Sequence, residues 1–270
     1  MATTTITEVP VSTFDMAGIY KPWEVDGKFY GDGREVALLE YIYNHPELDQ
    51  MRGNPQKVLG AMDSFARSVT GLINVGQTKG AVVRSIIAQR KPKVILELGG
   101  YCGYSAIMFS NAIREVGGVK YFSVEKSPLF AAVASSLIDL AGLRDVVRVV
   151  VGTGAEGTHR LHDEGALPHP VDMAFFDHFK PAYTADLKLC ERLGLVGKGT
   201  VLVGDNMIVP GNPLYLDWVR SSVAEKREKD KVAEEKGNPN LIYSSRSIPS
   251  WEPSGQEDAM EITECLGIEA

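Results

Sequence analysis

Cysteine is scarce in this chain. Only Cys102, Cys190 and Cys265 occur in 270 residues. They lie far apart and have no metal-ligand spacing, so neither a disulfide scaffold nor a thiolate metal site fits, and reduced thiols are expected. Long apolar runs are also missing. None reaches the roughly 18 residues of a membrane-spanning helix, so no membrane association is expected. Met1–Asp15 has neither Lys nor Arg and no apolar core, which does not fit a secretory signal and leaves a cytoplasmic location as the expectation. Positive charge is in deficit: 28 Lys and Arg stand against 35 Asp and Glu, a net charge of -7. That balance argues against a nucleic-acid-binding surface. What remains is ordinary globular composition, 44% hydrophobic and 23% charged, long enough for one large α/β domain.

The pattern along the chain starts weakly. Pro10, Pro22 and several glycines interrupt the stretch up to about Arg34. Helical periodicity begins at Glu35, with Val36, Leu38, Leu39, Ile42 and Tyr43 on one face, and Asn44-His45-Pro46 stops it. Further helices are predicted over about Pro55 to Ser68 and after Asn74-Val75-Gly76. From Lys93 the chain alternates. Strands are predicted at residues 93–98, 120–125, 146–151, 171–177 and 200–205. Helices are predicted at residues 105–115, 128–141, 183–193 and 213–223. Continuous apolar strands separated by helices imply a doubly wound α/β sheet, mostly parallel, with right-handed crossovers. The charged run Ala224–Lys236 reads as a solvated helix or loop. Leu241–Ser247 and Ala259–Leu266 read as an antiparallel strand pair, with Pro249, Pro253 and Gly255 between them.

The sharpest local signal is Glu97-Leu98-Gly99-Gly100-Tyr101-Cys102-Gly103-Tyr104-Ser105, which closes the first strand and opens a helix. In open parallel sheets ligands bind at such carboxyl ends. The spacing is not the dinucleotide G-x-G-x-x-G, because Tyr101 takes the place of its second glycine, and this disfavours a nicotinamide oxidoreductase. A pyrophosphate needs a tight glycine cradle. S-adenosylmethionine has no phosphate and carries an ammonium, a carboxylate and a sulfonium. Ser105 and backbone N–H groups suit the carboxylate, and acidic groups suit the cations. Glu125, ending the second strand, stands where an acid binds a ribose diol, though a nicotinamide enzyme would place one there too.

Two later strands end in acids, at Phe176-Asp177-His178-Phe179-Lys180 and at Gly204-Asp205-Asn206. Asp177 alone is equally well read as a helix cap, and Asp205-Asn206 as a turn. Together, on the rim that holds the cofactor loop, they offer an oxygen-only ligand set suited to Mg²⁺. Lys180 lies three residues after Asp177. A metal and a sulfonium nearby would disfavour a charged amine, which suits this lysine to act as general base. His178, like other lone histidines, reads as a packed residue.

The segments GLINVGQTKG, ILELGGYCGYSA, VVVGTGAE, FFDHFK and VGDNMIVPG stand in the order and spacing of the catechol O-methyltransferase family. The chain resembles that family over about Tyr41 to Ser222 and more loosely beyond, and its extended N-terminus and tail resemble fungal members. Residues 1–34, without sustained apolar periodicity, read as an extension, and residues 35–270 as the methyltransferase domain. The resemblance implies that Val75, Glu97, Gly99, Tyr101 and Ser105 contact the methionine portion of S-adenosylmethionine or shape its pocket. Glu125 would hold the ribose hydroxyls. Gly152, Thr153, Gly154 and Ala155 would border the adenine with His178 and Phe179. Asp177, Asp205 and Asn206 would hold Mg²⁺, and Lys180 would deprotonate a catechol or polyphenol acceptor. The alternative is a cofactor-binding module without turnover. Two departures bear on the acceptor. The family's gatekeeper tryptophan is replaced by Gly71. The family's late glutamate, which grips the second catechol hydroxyl, has no counterpart in Leu241–Ser245, where Ser244 is nearest its expected place. Trp251 or Tyr215 is expected to supply a replacement wall.

Overall fold

The computed structural model describes residues 14–270. Pro10 and the stretch Met1–Asp15 read above as no secretory signal lie outside the described residues, apart from Phe14 and Asp15. Among the described residues, four α-helices precede the sheet: α1 (Arg34–Tyr43), the single turn α2 (Leu48–Met51), α3 (Pro55–Ser68) and α4 (Gly76–Arg90). The start of α3 follows from its sequence. Asn54 accepts the Lys57 N–H at 3.1 Å as an N-cap, and Pro55 fills the first helical position, where its missing N–H costs nothing.

Alternation then sets in: β1 (Val94–Leu98), α5 (Tyr104–Glu115), β2 (Lys120–Glu125), α6 (Pro128–Leu140), β3 (Val147–Val151), α7 (Gly154–Asp163), β4 (Met173–Phe176), α8 (Tyr183–Arg192), β5 (Val201–Gly204), α9 (Pro213–Arg220) and α10 (Val223–Val232). The hairpin β6 (Leu241–Trp251) and β7 (Glu257–Ile268) closes the chain. The sheet order is β3-β2-β1-β4-β5-β7-β6. The first five strands are parallel, β7 runs antiparallel to β5, and β6 antiparallel to β7. The chain reverses its direction of travel across the sheet between β1 and β4, so the β1 loop and the β4 terminus meet at the topological switch point.

Side chains alternate between two cores, as the two-residue period of a strand requires. Met173 and Phe175 of β4 and Val201 and Val203 of β5 pack on the face covered by α3, α4 and α5. Ala174, Phe176 and Leu202 pack on the other face, with Leu187 of α8 and Trp218 of α9. All three cysteines are free and buried. Among the described residues, no helix is long and apolar enough to cross a membrane.

The structure differs from the sequence reading in three places. Pro249 is not in the β6–β7 loop but inside β6, opposite Ala259. Helix α7 was not anticipated; Thr153 and Glu156 form a capping box that nucleates it. The charged run is not wholly solvated either. Lys226 of α10 is fully buried, donates to the Leu241 carbonyl and lies 4.1 Å from the Tyr243 ring centroid.

Candidate active site at the carboxyl edge of the sheet

The glycine loop folds as it does because backbones crowd there. A Cβ on Gly99, at φ +102°, would lie 2.3 Å from the Asp177 carbonyl oxygen. Only glycine allows the β1 loop to approach the end of β4 this closely. The Tyr101 N–H donates to Glu125 at 2.8 Å, and the Ser127 N–H donates to its other oxygen at 2.7 Å. The Tyr101 hydroxyl turns away to the buried Glu35 at 2.9 Å, and its ring meets Phe130 edge-on. Glu125 is thus fixed at the tip of β2 by two backbone donors. Burial pushes its carboxyl above the ordinary range, and those backbone bonds oppose the shift.

Glu97 is fully buried at the end of β1. One oxygen accepts from Ser123, while Oε1 has no partner. Burial raises this carboxyl to about 7, against the hydrogen bond from Ser123. Asn74, just before Val75, is also buried with its carboxamide unpartnered. Buried polar atoms without partners are costly. An unpaired carboxylate oxygen and a carboxamide fit the ammonium and carboxylate of an amino-acid ligand. Beyond β3, Thr153 caps α7, and Gly154 lies against Asp186. Asp186 Oδ2 lies 2.9 Å from His178 Nε2. His178 stacks on Tyr183 at 4.8 Å, and its burial lowers its pKa. Phe179 is 73% exposed, the most open of the site candidates with a large apolar side chain.

Asp177 and Asp205 directly follow β4 and β5, which are paired neighbours in the sheet. Asp177 Oδ1 accepts from Lys180 Nζ at 3.0 Å, and Lys180 also donates to the Tyr183 hydroxyl at 3.0 Å. That hydroxyl bonds the Phe176 carbonyl at 2.7 Å and reaches the Asp205 carbonyl at 3.3 Å, joining the ends of both strands. Burial raises the Asp177 carboxyl to about 6; Lys180 opposes this, and the nearby Asp205 carboxylate adds to it. Asp205 Oδ1 accepts the Asn206 N–H and the Lys79 ammonium, both at 2.7 Å; Oδ2 takes up neither. Asn206 adopts a left-handed conformation at φ 64°. Two adjacent carboxylates and a carboxamide form an oxygen-rich set that fits a hard divalent cation.

Sequence reasoning missed three residues here. Lys79, wholly buried, sits among Asp205, Glu252 and Asp258, with Asp258 Oδ2 at 2.6 Å. Those three acids bring carboxylate oxygens within 4.8 Å of one another, spacing that would suit a metal. The Lys79 ammonium already sits among them. Burial works against its charge, but the three carboxylates together hold its pKa above the ordinary lysine value. Glu252 also accepts from Asn206 Nδ2, which places an acid just past the end of β6 beside Asp205. Ser244 is exposed, opposite Glu264 on the hairpin, and cannot take that place. Tyr215 is no replacement wall: it is fully buried beneath the site, edge-on to Tyr183.

Comparison with known proteins identifies the family. A methyltransferase-domain family model matches residues 96–207. Catechol O-methyltransferase of Bos taurus is 35% identical over 227 residues, covering 82% of this chain and 80% of that protein. The Mus musculus catechol O-methyltransferase is 36% identical, covering 71% and 70%. The crystal structure of a Bacillus cereus O-methyltransferase in complex with SAH superposes with a TM-score of 0.56 at 21% identity, over 85% of this chain and 97% of that one. The fold and relatives define an S-adenosylmethionine-dependent O-methyltransferase. Within that class, the chain belongs to the catechol O-methyltransferase family.

Proposed function

We propose that the enzyme methylates one hydroxyl of a catechol-like vicinal diol and that it works with Mg²⁺. The observation that carries this reading is the convergence of Asp177, Lys180, Asp205, Asn206 and Glu252 beside the glycine loop of β1. S-adenosylmethionine supplies an electrophilic methyl group, and Mg²⁺ supplies a Lewis acid that favours the ionised form of a bound hydroxyl.

The protein's own residues do the rest. Glu97 takes the cofactor's ammonium and Glu125 its ribose hydroxyls. Val75, Gly99, Tyr101 and Ser105 shape the methionine end. Gly152, Thr153, Gly154 and Ala155 border the adenine, with His178 and Phe179 on the other side. Asp177, Asp205 and Asn206 hold the metal. Lys180, kept in place by Asp177 and Tyr183, accepts the proton of the reacting hydroxyl at Nζ. Glu252 accepts a hydrogen bond from the second hydroxyl. Holding oxygen and methyl in near-attack geometry supplies much of the rate, on the order of several kcal/mol.

The deciding experiment is transfer of a radiolabelled methyl group to a panel of vicinal diphenols and polyphenols, with Mg²⁺ and with a chelator. Mg²⁺-dependent labelling is expected. Labelling that persists in chelator would remove the metal from this reading, and labelling of monophenols alone would remove the vicinal diol. Cofactor binding without any labelling would favour a binding module.

A further inference from the structure

We propose that residues 14–34 form the acceptor-side wall of the active site, with Tyr20 and Arg34 as the positioning residues that hold it. The proposal rests on the vicinal-diol reading above.

The argument begins at Gly71. A Cβ there would lie 2.1 Å from the Lys21 carbonyl oxygen and 2.8 Å from the Pro22 carbonyl. The main chain of the N-terminal segment therefore occupies the space that any side chain at position 71 would need. Residue 71 opens the run into Asn74 and Val75 at the cofactor pocket, so the segment lies against the entrance to the site.

Its second anchor lies at the residue pair that carries the acceptor's expected partner. The Tyr20 N–H donates to the Pro253 carbonyl at 3.0 Å, and Pro253 follows Glu252. Phe14 packs on Trp251, with ring centroids 5.7 Å apart. The segment thus bridges the loop at Gly71 and the corner at Glu252.

This bridge is fixed. The Lys21 N–H donates to the Ala66 carbonyl at 3.0 Å, and the Tyr20 hydroxyl is buried against Asp63. The Arg34 guanidinium, 2% exposed, donates to the carbonyls of Trp23 at 2.6 Å, Gly71 at 2.8 Å and Lys28 at 3.4 Å, while Asp32 pairs with it at 2.7 Å. One cation ties the segment to the loop it covers. A wall of main chain gathered on a buried guanidinium does not swing aside as a lone side chain would, so it limits the size of the diol's ring substituents.

Gly71→Ala and Arg34→Met test this, one by displacing the segment and the other by untying it. The readouts are kcat and KM for pyrocatechol and for a catechol bearing a two-ring substituent, with cofactor affinity by calorimetry. In both variants the ratio of kcat/KM, bulky over small, should rise about tenfold, chiefly through KM, with cofactor affinity unchanged. An unchanged ratio, with faster amide exchange across residues 20–34 showing that the segment has moved, would overturn the proposal. Should both variants fail to fold, Phe14→Ala is read in the same way, and an unchanged ratio there would count equally against it. Wild-type turnover of pyrocatechol tests the vicinal-diol reading separately from this ratio.

Discussion

Lys79 Nζ and Asp205 Oδ1 stand 2.7 Å apart, with both side chains essentially out of solvent. The lysine comes from α4, which precedes the sheet, and the aspartate ends β5. This contact ties the helical layer to the carboxyl edge, where the reacting groups gather. Glu252 and Asp258, from the far hairpin, join the same ammonium. One buried cation therefore orients three acids from two separate parts of the chain.

Removing that cation should be costly. Lys79→Met leaves three buried carboxylates facing one another without a counter-charge. A loss of about 3–5 kcal/mol of stability is expected, measured by denaturant unfolding without ligands. A loss under about 1 kcal/mol would mean the cluster relaxes or takes up solvent ions, and that Lys79 does not hold it together.

Lys180 should behave differently because its side chain is only partly buried and is proposed as the base. Lys180→Ala is expected to reduce kcat by about 10²–10⁴-fold, with little change in cofactor affinity or melting temperature. Equal losses in kcat and in cofactor binding would assign it to the pocket rather than to proton transfer.

Glu125→Ala separates the other half of the site. The carboxylate is held by the N–H groups of Tyr101 and Ser127 and so is pre-positioned for a ribose diol. Losing charge-assisted bonds to that diol should weaken cofactor binding by about 2 kcal/mol. Calorimetry showing unchanged affinity would remove Glu125 from the ribose assignment.

The contrast between Lys180 and Lys79 shows what the sequence could reveal. Lys180 stands three residues after an acid that ends an apolar strand, so the local pattern points to it. Lys79 sits within an amphipathic-looking helix, and its partners are more than 120 residues away. No local signal predicts its burial. Glu252 was missed for a related reason: β6 runs on through Pro249 to Trp251, carrying the acid past the segment where one was sought. The parallel strands were legible because burial on both faces leaves continuous apolar runs. Helix α7 was hidden by two glycines, although its capping box, Thr153 with Glu156, was present in the sequence.

The pH dependence of cofactor binding should report Glu97. Burial raises this carboxyl from an ordinary 4.5 to about 7 in the folded protein. The folded state therefore binds more protons than the unfolded chain between those values. Stability from this group is present in acid and is lost as pH rises through about 7, a change on the order of 3 kcal/mol. Asp177 titrates in an overlapping range, raised to about 6, so the diagnostic quantity is the difference between wild type and Glu97→Gln. That difference should shift in favour of Glu97→Gln as pH rises, because the glutamine carries no buried charge. Cofactor binding runs in the opposite sense. The ligand's ammonium selects the ionised carboxylate, so wild-type affinity should increase as pH rises through about 7, while the Glu97→Gln profile stays flat and weaker. Parallel affinity profiles for the two proteins would show that another group senses the ammonium, with the unpartnered Asn74 next in line on geometry.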